Sequence, residues 1–572
     1  MHQGPPISAF TSELSMATTS ILVAGSPVFS FLVAAAAGTI AWQLFTYVRR
    51  RIALLAVSKI PGPVSQSFWS GNLVQFTSRA GEAFQRHVAL DYGSVVKLHG
   101  FFGEPILYVA DPKALHAILI KEEYIFQEAN EFVGINKSVF GTCLISTIGP
   151  HHGKQRKLLN PVFSVAHMRH MLPLFYELGN KFREAIGSRV SDGPKELDMT
   201  AWLGRVALEL LGQGALGYSF DPLVTDDPDA YGEALKSLGP ELDGLMFLRK
   251  FAHPSEILPS WLRRALVNLF PPGTRIHTLV QMVHILDSST KTIYADKKRA
   301  FERGDTGMTK NAGQGKDLMS ILLRANAAAD PKDRLPDEEV ISQMSMFIIA
   351  GLDTTSNALS RILTVLADHP DRQQELRQEL LDANAAVGIS YDDLNKLPFL
   401  DAVIRETLRV HPPGTILFRV ANKDTVLPLS EPIQIADGKF MDAIPVTKGS
   451  QYLVGFAGSN MSKAMWGEDA AEWKPERWLS PLPAAVTDAR IPGVYSNLMT
   501  FSGGKRSCIG FKFSEMEMKV VLSVLLSKFT FEPSGKPIHW NVGLVYYPTV
   551  GEESNKPELP LKVGLYQPSV VN

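Results

Sequence analysis

A chain of 572 residues with a formal charge of −1, 45% hydrophobic and 20% charged residues, has the composition of an ordinary globular enzyme. The balanced charge gives no basic footprint for nucleic acid. The two cysteines, Cys143 and Cys508, are too few for a disulfide framework and fit a body held in a reducing compartment. At least one of them needs a different explanation.

In chain order, the first informative segment runs uncharged from Ile21 to Val48 and ends on Arg49, Arg50 and Arg51. Ser26 before Pro27 reads as an N-cap with proline at the first helical position, and a helix from Pro27 to Val48 would span roughly 33 Å. The expectation is a transmembrane anchor over residues 21–48 behind a lumenal segment of residues 1–20. The basic flank would keep the rest on the cytoplasmic side of the endoplasmic reticulum membrane. Two sequons, at Asn136 and Asn460, are then chance matches. Residues 49–63 read as a basic flank and a stiff hinge, Ile60-Pro61-Gly62-Pro63.

No repeat or Pro/Gly/Ser-rich linker divides residues 64–572, so one large domain is expected. Extended stretches are predicted at Val95 to Leu107, Arg419 to Val426 and Ile538 to Val550, and a glycine-rich loop at Arg303 to Lys316. Helices are predicted from Pro336 to Leu366, whose first turn is acidic, from Asp371 to Ala386, and from Leu400 to Val410. The last is stopped by His411-Pro412-Pro413. The fold class is mostly α with small β-sheets.

Phe501-Ser-Gly-Gly-Lys-Arg-Ser-Cys508-Ile-Gly510 precedes a helix-period run, Phe511 to Phe529. A cysteine at a helix start is poised as a thiolate, because free amide groups and the macrodipole favour negative charge. Haem iron is one centre that takes such a ligand. Gly503, Gly504 and Gly510 let backbone approach a flat macrocycle, and Arg506 can pair with a propionate. The alternative is a buried structural cysteine.

With these residues the chain resembles the cytochrome P-450 family, whose pattern F-x-x-G-x-R-x-C-x-G is met at Phe501, Gly504, Arg506, Cys508 and Gly510. The resemblance implies that fold, a haem b cofactor held through Cys508, and monooxygenation of a small molecule. It also assigns a structural ion-pair network to Glu406 and Arg409, matching E-x-x-R, with Arg477 of Pro475-Glu476-Arg477-Trp478. Ala350-Gly351-Leu352-Asp353-Thr354 matches the family's distal helix, where Thr354 supports oxygen activation and Asp353 feeds its proton relay. His152 and Arg156 stand where the family has W-x-x-x-R, so the tryptophan is replaced and the propionate contact becomes weaker or pH-dependent. Arg419 is a further propionate partner by the same resemblance.

A family member with no G-x-G-x-x-G site of its own implies electrons from NADPH–cytochrome P-450 reductase; Lys154, Lys157, Lys505 and Lys512 form either its docking charge or an ordinary solvated face. Substrate-side segments around Phe132 to Leu144, Phe347 to Ala350, Thr415 to Phe418 and Val542 to Val545 are largely apolar and imply a lipophilic substrate. The chain looks most like fungal microsomal members. Terpenoid-type secondary metabolism is the expected setting, with sterol, fatty acid or foreign-compound oxidation as the alternatives. A peroxide-rearranging isomerase and a non-enzymatic haem-binding membrane protein stand further off.

Overall fold

The computed structural model describes residues 27–220, 269–303 and 317–568, with isolated positions between 221 and 268. Residues 1–26 and nearly all of the 303–316 loop expectation lie outside the described residues. The chain divides into two units, Met1–Lys59 and Ile60–Asn572.

The first unit carries helix α1, Pro27–Ser58. It starts where Ser26-Pro27 predicts, but it runs through the arginine triplet at 49–51 instead of ending before it. Among the described residues, no helix is long and apolar enough to cross a membrane. Residues 21–26 of the 21–48 transmembrane expectation lie outside the described residues, and the remainder falls within α1.

In the second unit the hinge is docked. The carbonyl of Pro61 accepts from the Lys97 amide at 2.9 Å, and a Cβ on Gly62 would sit 1.9 Å from the Lys97 carbonyl oxygen. Only glycine lets the incoming chain lie this close to the sheet.

That sheet has five strands. Val95–His99 (β1) and Pro105–Val109 (β2) form a hairpin, so the single predicted stretch from 95 to 107 folds back at Phe101–Gly103. Phe126–Gln127 (β3), Ile416–Ala421 (β4) and Gln451–Gly455 (β5) complete it in the order β1-β2-β5-β4-β3, with only the β2–β5 pair parallel. Phe76, Val88, Val96, Leu98, Ile106, Tyr108 and Leu453 pack into one buried cluster here.

Helices supply most of the body. Asn130–Phe140 (α2), Gly149–Leu159 (α3), Val165–Arg189 (α4) and Met199–Leu211 (α5) precede the long α6, Asp337–Asp368. Pro336 caps α6 and its first turn holds Asp337, Glu338 and Glu339, the acidic start that offsets the helix dipole. Pro370–Asp382 (α7), Pro398–Val410 (α8) and Phe511–Leu526 (α9) follow. The predicted helix to Phe529 stops at Leu526 because residues 529–533 pair as a strand with residues 560–565. Helix α6 packs against α5, α8 and α9, which places the A-G-x-D-T segment at the centre of the body.

Tyr108 links the sheet to the segment after it. Its hydroxyl accepts from the Gly458 amide at 2.9 Å, and a Cβ on Gly455 would meet its ring at 2.2 Å. Tyr108→Phe removes the acceptor and leaves a buried N–H without a partner, so chemical denaturation should show a loss of about 1–3 kcal/mol.

Candidate active site

Cys508 lies where strand Leu498–Gly503 turns through Gly504–Arg506 into α9. Its amide donates to the Phe501 carbonyl at 2.9 Å, and the Ser507 amide donates to Gly504 at 3.1 Å, closing a compact turn. Gly504 sits at φ +70°, in the left-handed region, and a Cβ there would stand 2.0 Å from the Leu119 carbonyl oxygen. A Cβ on Gly503 would likewise stand 2.1 Å from the Pro492 carbonyl. Both glycines are demanded by the protein's own packing. Gly510, the N-cap of α9, is different: an added Cβ would meet only Phe163, at 3.8 Å. The Phe501 ring is edge-on to Tyr495, with centroids 5.2 Å apart, and fixes the start of the turn.

Arg156 of α3 reaches the turn, with Nη1 donating to the Ser507 carbonyl at 2.8 Å and Nη2 to Ser507 Oγ at 3.1 Å. The Cys508 side chain is accessible, whereas Cys143 is fully buried beneath Ser146. Burial by the surrounding protein nonetheless pushes the Cys508 thiol above its ordinary pKa, against the Gly510 amide and the Arg156 charge, which pull it down. A bound metal cation would add to the Gly510 amide and the Arg156 charge in favouring the thiolate.

A cavity of about 880 Å³ lies beside this turn, lined in part by Glu128, His152, Arg156, Arg419 and Arg506. Arg506 donates from Nε to Glu128 at 2.8 Å and from Nη1 to the Thr147 carbonyl at 2.7 Å. Arg419, nearly buried, reaches Glu128 at 3.1 Å and donates to the Phe418 carbonyl at 2.8 Å. Burial alone would push the Glu128 carboxyl up, but Arg419 and Arg506 hold it below its ordinary value. Two guanidinium groups therefore meet one carboxylate and a third, Arg156, lines the same cavity, an arrangement short of negative charge that suits a flat dianion such as haem. Together with the accessible thiol and the open space at Gly510, these residues fit that group.

His152 joins the cavity wall, but burial first, and then the charges of Arg506 and Arg156, depress its pKa to about 3. A low-dielectric wall and two cations disfavour the charged form of the ring, which favours the weaker-contact alternative over the pH-dependent one. The unfolded chain protonates near the ordinary value of 6.5, so stability should fall as pH drops below 6.5, with the loss complete near 3. His152→Asn should flatten that part of the curve in urea unfolding followed against pH.

On α6, Thr354 Oγ1 donates to the Ala350 carbonyl at 2.6 Å. Ser356, Asn357, Ser360 and Thr364 bond four residues back in the same way. Asp353 is half-buried. Thr355 Oγ1 lies 3.0 Å from Ser514 Oγ of α9, a tie between the two helices that the sequence reading missed because Thr355 and Ser514 belong to no single motif.

Glu406 and Arg409, both fully buried, pair through two bonds of 2.8 Å. Arg477 Nε reaches Glu406 at 3.3 Å and its Nη2 donates to the Asp469 carbonyl at 2.6 Å. The Lys474 amide and Trp478 Nε1 each donate to Glu406 at 2.9 Å. These two donors escaped the sequence reading, since only the Pro475–Trp478 turn brings them under the carboxylate. Glu406→Gln should leave Arg409 without a buried counter-charge and cost about 3–5 kcal/mol in denaturant unfolding.

Of the proposed surface lysines, Lys157 pairs with Asp333 at 3.3 Å, Lys505 pairs with Glu123, and Lys512 stands 5.6 Å from the Phe511 ring centroid. Lys154 is half-buried. Among the substrate-side segments, Phe347 is taken up by an edge contact with Phe163 and Thr415 by a bond to Gln85.

A family model described as cytochrome P-450 matches residues 61–543. Cytochrome P-450 monooxygenase 81 of Postia placenta is 55% identical over 93% of this chain and 97% of its own length. Cytochrome P-450 monooxygenase 212 of the same fungus is 53% identical over 94% and 99%. A ganoderic acid synthetase of Ganoderma lucidum is 45% identical over 92% and 97%.

Proposed function

Because the chain belongs to the cytochrome P-450 family and is a monooxygenase that binds haem iron through a cysteine thiolate, we propose that Cys508 is that ligand and that the substrate is a lipophilic, terpenoid-type secondary metabolite. The observation that carries the first part is the accessible thiol on a turn fixed by Phe501, Gly504 and Arg156, beside a cavity wall with three arginines and one carboxylate. The ganoderic acid synthetase among the relatives supports the second.

Haem bound by a thiolate supplies activation of O2 and insertion of one oxygen atom into a C–H bond. The chain's own residues hold and feed it. Arg156, Arg419 and Arg506 receive the propionates, with neutral His152 offering a ring hydrogen bond. Glu406, Arg409 and Arg477 keep the loop region in place. Thr354 donates a hydrogen bond to the Ala350 carbonyl, which leaves the hydroxyl oxygen free to act as an acceptor, and the Asp353 carboxyl group takes up a proton from solvent and relays it.

The two electrons come from NADPH through cytochrome P-450 reductase, drawn to the face carrying Lys154, Lys157, Lys505 and Lys512. The uncharged run from Ile21 to Val48 with its arginine flank supports a single-pass tether at the endoplasmic reticulum, the body facing the cytoplasm.

The reduced, carbon-monoxide-bound protein should show the red-shifted Soret band of thiolate ligation, absent in Cys508→Ser and retained in Cys143→Ser. Retention of the band in Cys508→Ser would end the assignment. Co-expression with a reductase should yield an oxygenated terpenoid product that depends on NADPH. Thr354→Ala should cut product at least tenfold while NADPH is still consumed, as relay loss predicts for general acid–base catalysis worth about 10²–10⁴.

A further inference from the structure

The register of the five-stranded sheet brings one carboxylate to the arginines of the cavity. Strand β3 pairs antiparallel with β4 through Phe126 and Ala421, then Gln127 and Val420. The next step in that register sets Glu128 opposite Arg419, and the contact is realised at 3.1 Å. The same oxygen accepts from Arg506 Nε at 2.8 Å, so two guanidinium groups from distant segments converge on one Oε1.

The Glu128 side chain is only 9% exposed. Backbone carbonyls take other donors of the two arginines: Thr147 and Leu144 on Arg506, Phe418 on Arg419. Among the described residues this leaves Arg506 Nη2 and Arg419 Nε free of a bond, on groups that line the cavity. Each guanidinium is thus clamped by Glu128 and by main chain, with donor capacity left for a ligand. Formal charge fits the same picture. Arg156, Arg419 and Arg506 bring three positive charges, Glu128 one negative, and a dianionic ligand would close the balance.

We propose that Glu128 is a positioning residue for the cofactor: it fixes Arg419 and Arg506 to receive the propionates, and its charge lowers the haem reduction potential. The first effect is preorganisation, since guanidinium groups already ordered lose less freedom on binding an anion. The second is electrostatic, since a nearby negative charge in a poorly screened site stabilises the ferric state. This rests on the haem reading above.

The test uses the full haem-loaded chain and two variants. Glu128→Gln removes the charge and one strong acceptor; Glu128→Asp keeps the charge but shortens the reach. Spectroelectrochemical titration should place Glu128→Gln at a more positive potential than the parent and leave Glu128→Asp close to it. Transfer of haem to apomyoglobin should be several-fold faster for both variants. A parent-like potential in Glu128→Gln overturns the electrostatic role. Parent-like or slower haem loss in both overturns the positioning role, and slower loss would mark Glu128 as a competitor of the propionates. If Glu128→Gln does not fold, Glu128→Asp still decides the positioning role through haem loss, and Glu128→Thr, which also removes the charge, decides the electrostatic one. Absence of the thiolate band in the parent would sink the haem reading, whereas a normal band with unshifted potential and unchanged haem loss sinks only the role of Glu128.

Discussion

The carboxylate of Glu406 is the interaction on which the region around Cys508 depends. It is fully buried, yet receives bonds from Arg409, Arg477, the Lys474 amide and Trp478 Nε1, so its charge is matched and its lone pairs are used. A buried ion pair with so many hydrogen bonds escapes the usual desolvation deficit and becomes a locating device. Arg409 extends the network to the carbonyls of Asn460 and Glu472 at 3.0 Å. Asn460 in turn accepts from the Met499 amide at 2.7 Å, on the strand that leads into the Cys508 turn. The chain of bonds from α8 to that strand is continuous.

A second device acts on the other side. Arg156, Arg419 and Arg506 come from a helix, a strand and the turn itself, and none would hold a guanidinium in a hydrophobic wall without a partner. Glu128, Ser507 and main-chain carbonyls provide partners that leave one side open. The site is thus shaped by two sets of charges: one closed on itself at Glu406, the other incomplete and facing the cavity.

The sequence carries this site unevenly. The turn at Cys508 is legible because its requirements are local: left-handed backbone at Gly504 and close approach at Gly503 and Gly504 leave only glycine, and spacing records them. The acidic start of α6 and the proline stop of α8 are legible for the same reason. What is not legible depends on distant partners. The stretch from 95 to 107 reads as one strand, since only a positive φ at Phe102 and Gly103 turns it into a hairpin. The pKa shifts at Cys508 and His152 are not legible either, since each is led by burial that only the folded chain provides. Glu128 carries no motif at all; it matters because β3 lies against β4. The arginine triplet misleads in the opposite sense, since a helix ending at Val48 is what charge predicts and a helix continuing to Ser58 is what forms.

The hydrogen bond between Thr355 and Ser514 joins the residue after Thr354 to the helix that begins just past Cys508. Thr355 is almost fully buried, so no water can readily substitute for this contact. A displacement of α6 would therefore be passed to the first turn of α9, the helix that follows the Cys508 turn. Movement on the Thr354 side and the position of the Cys508 turn would thus be linked through a pair of hydroxyl groups.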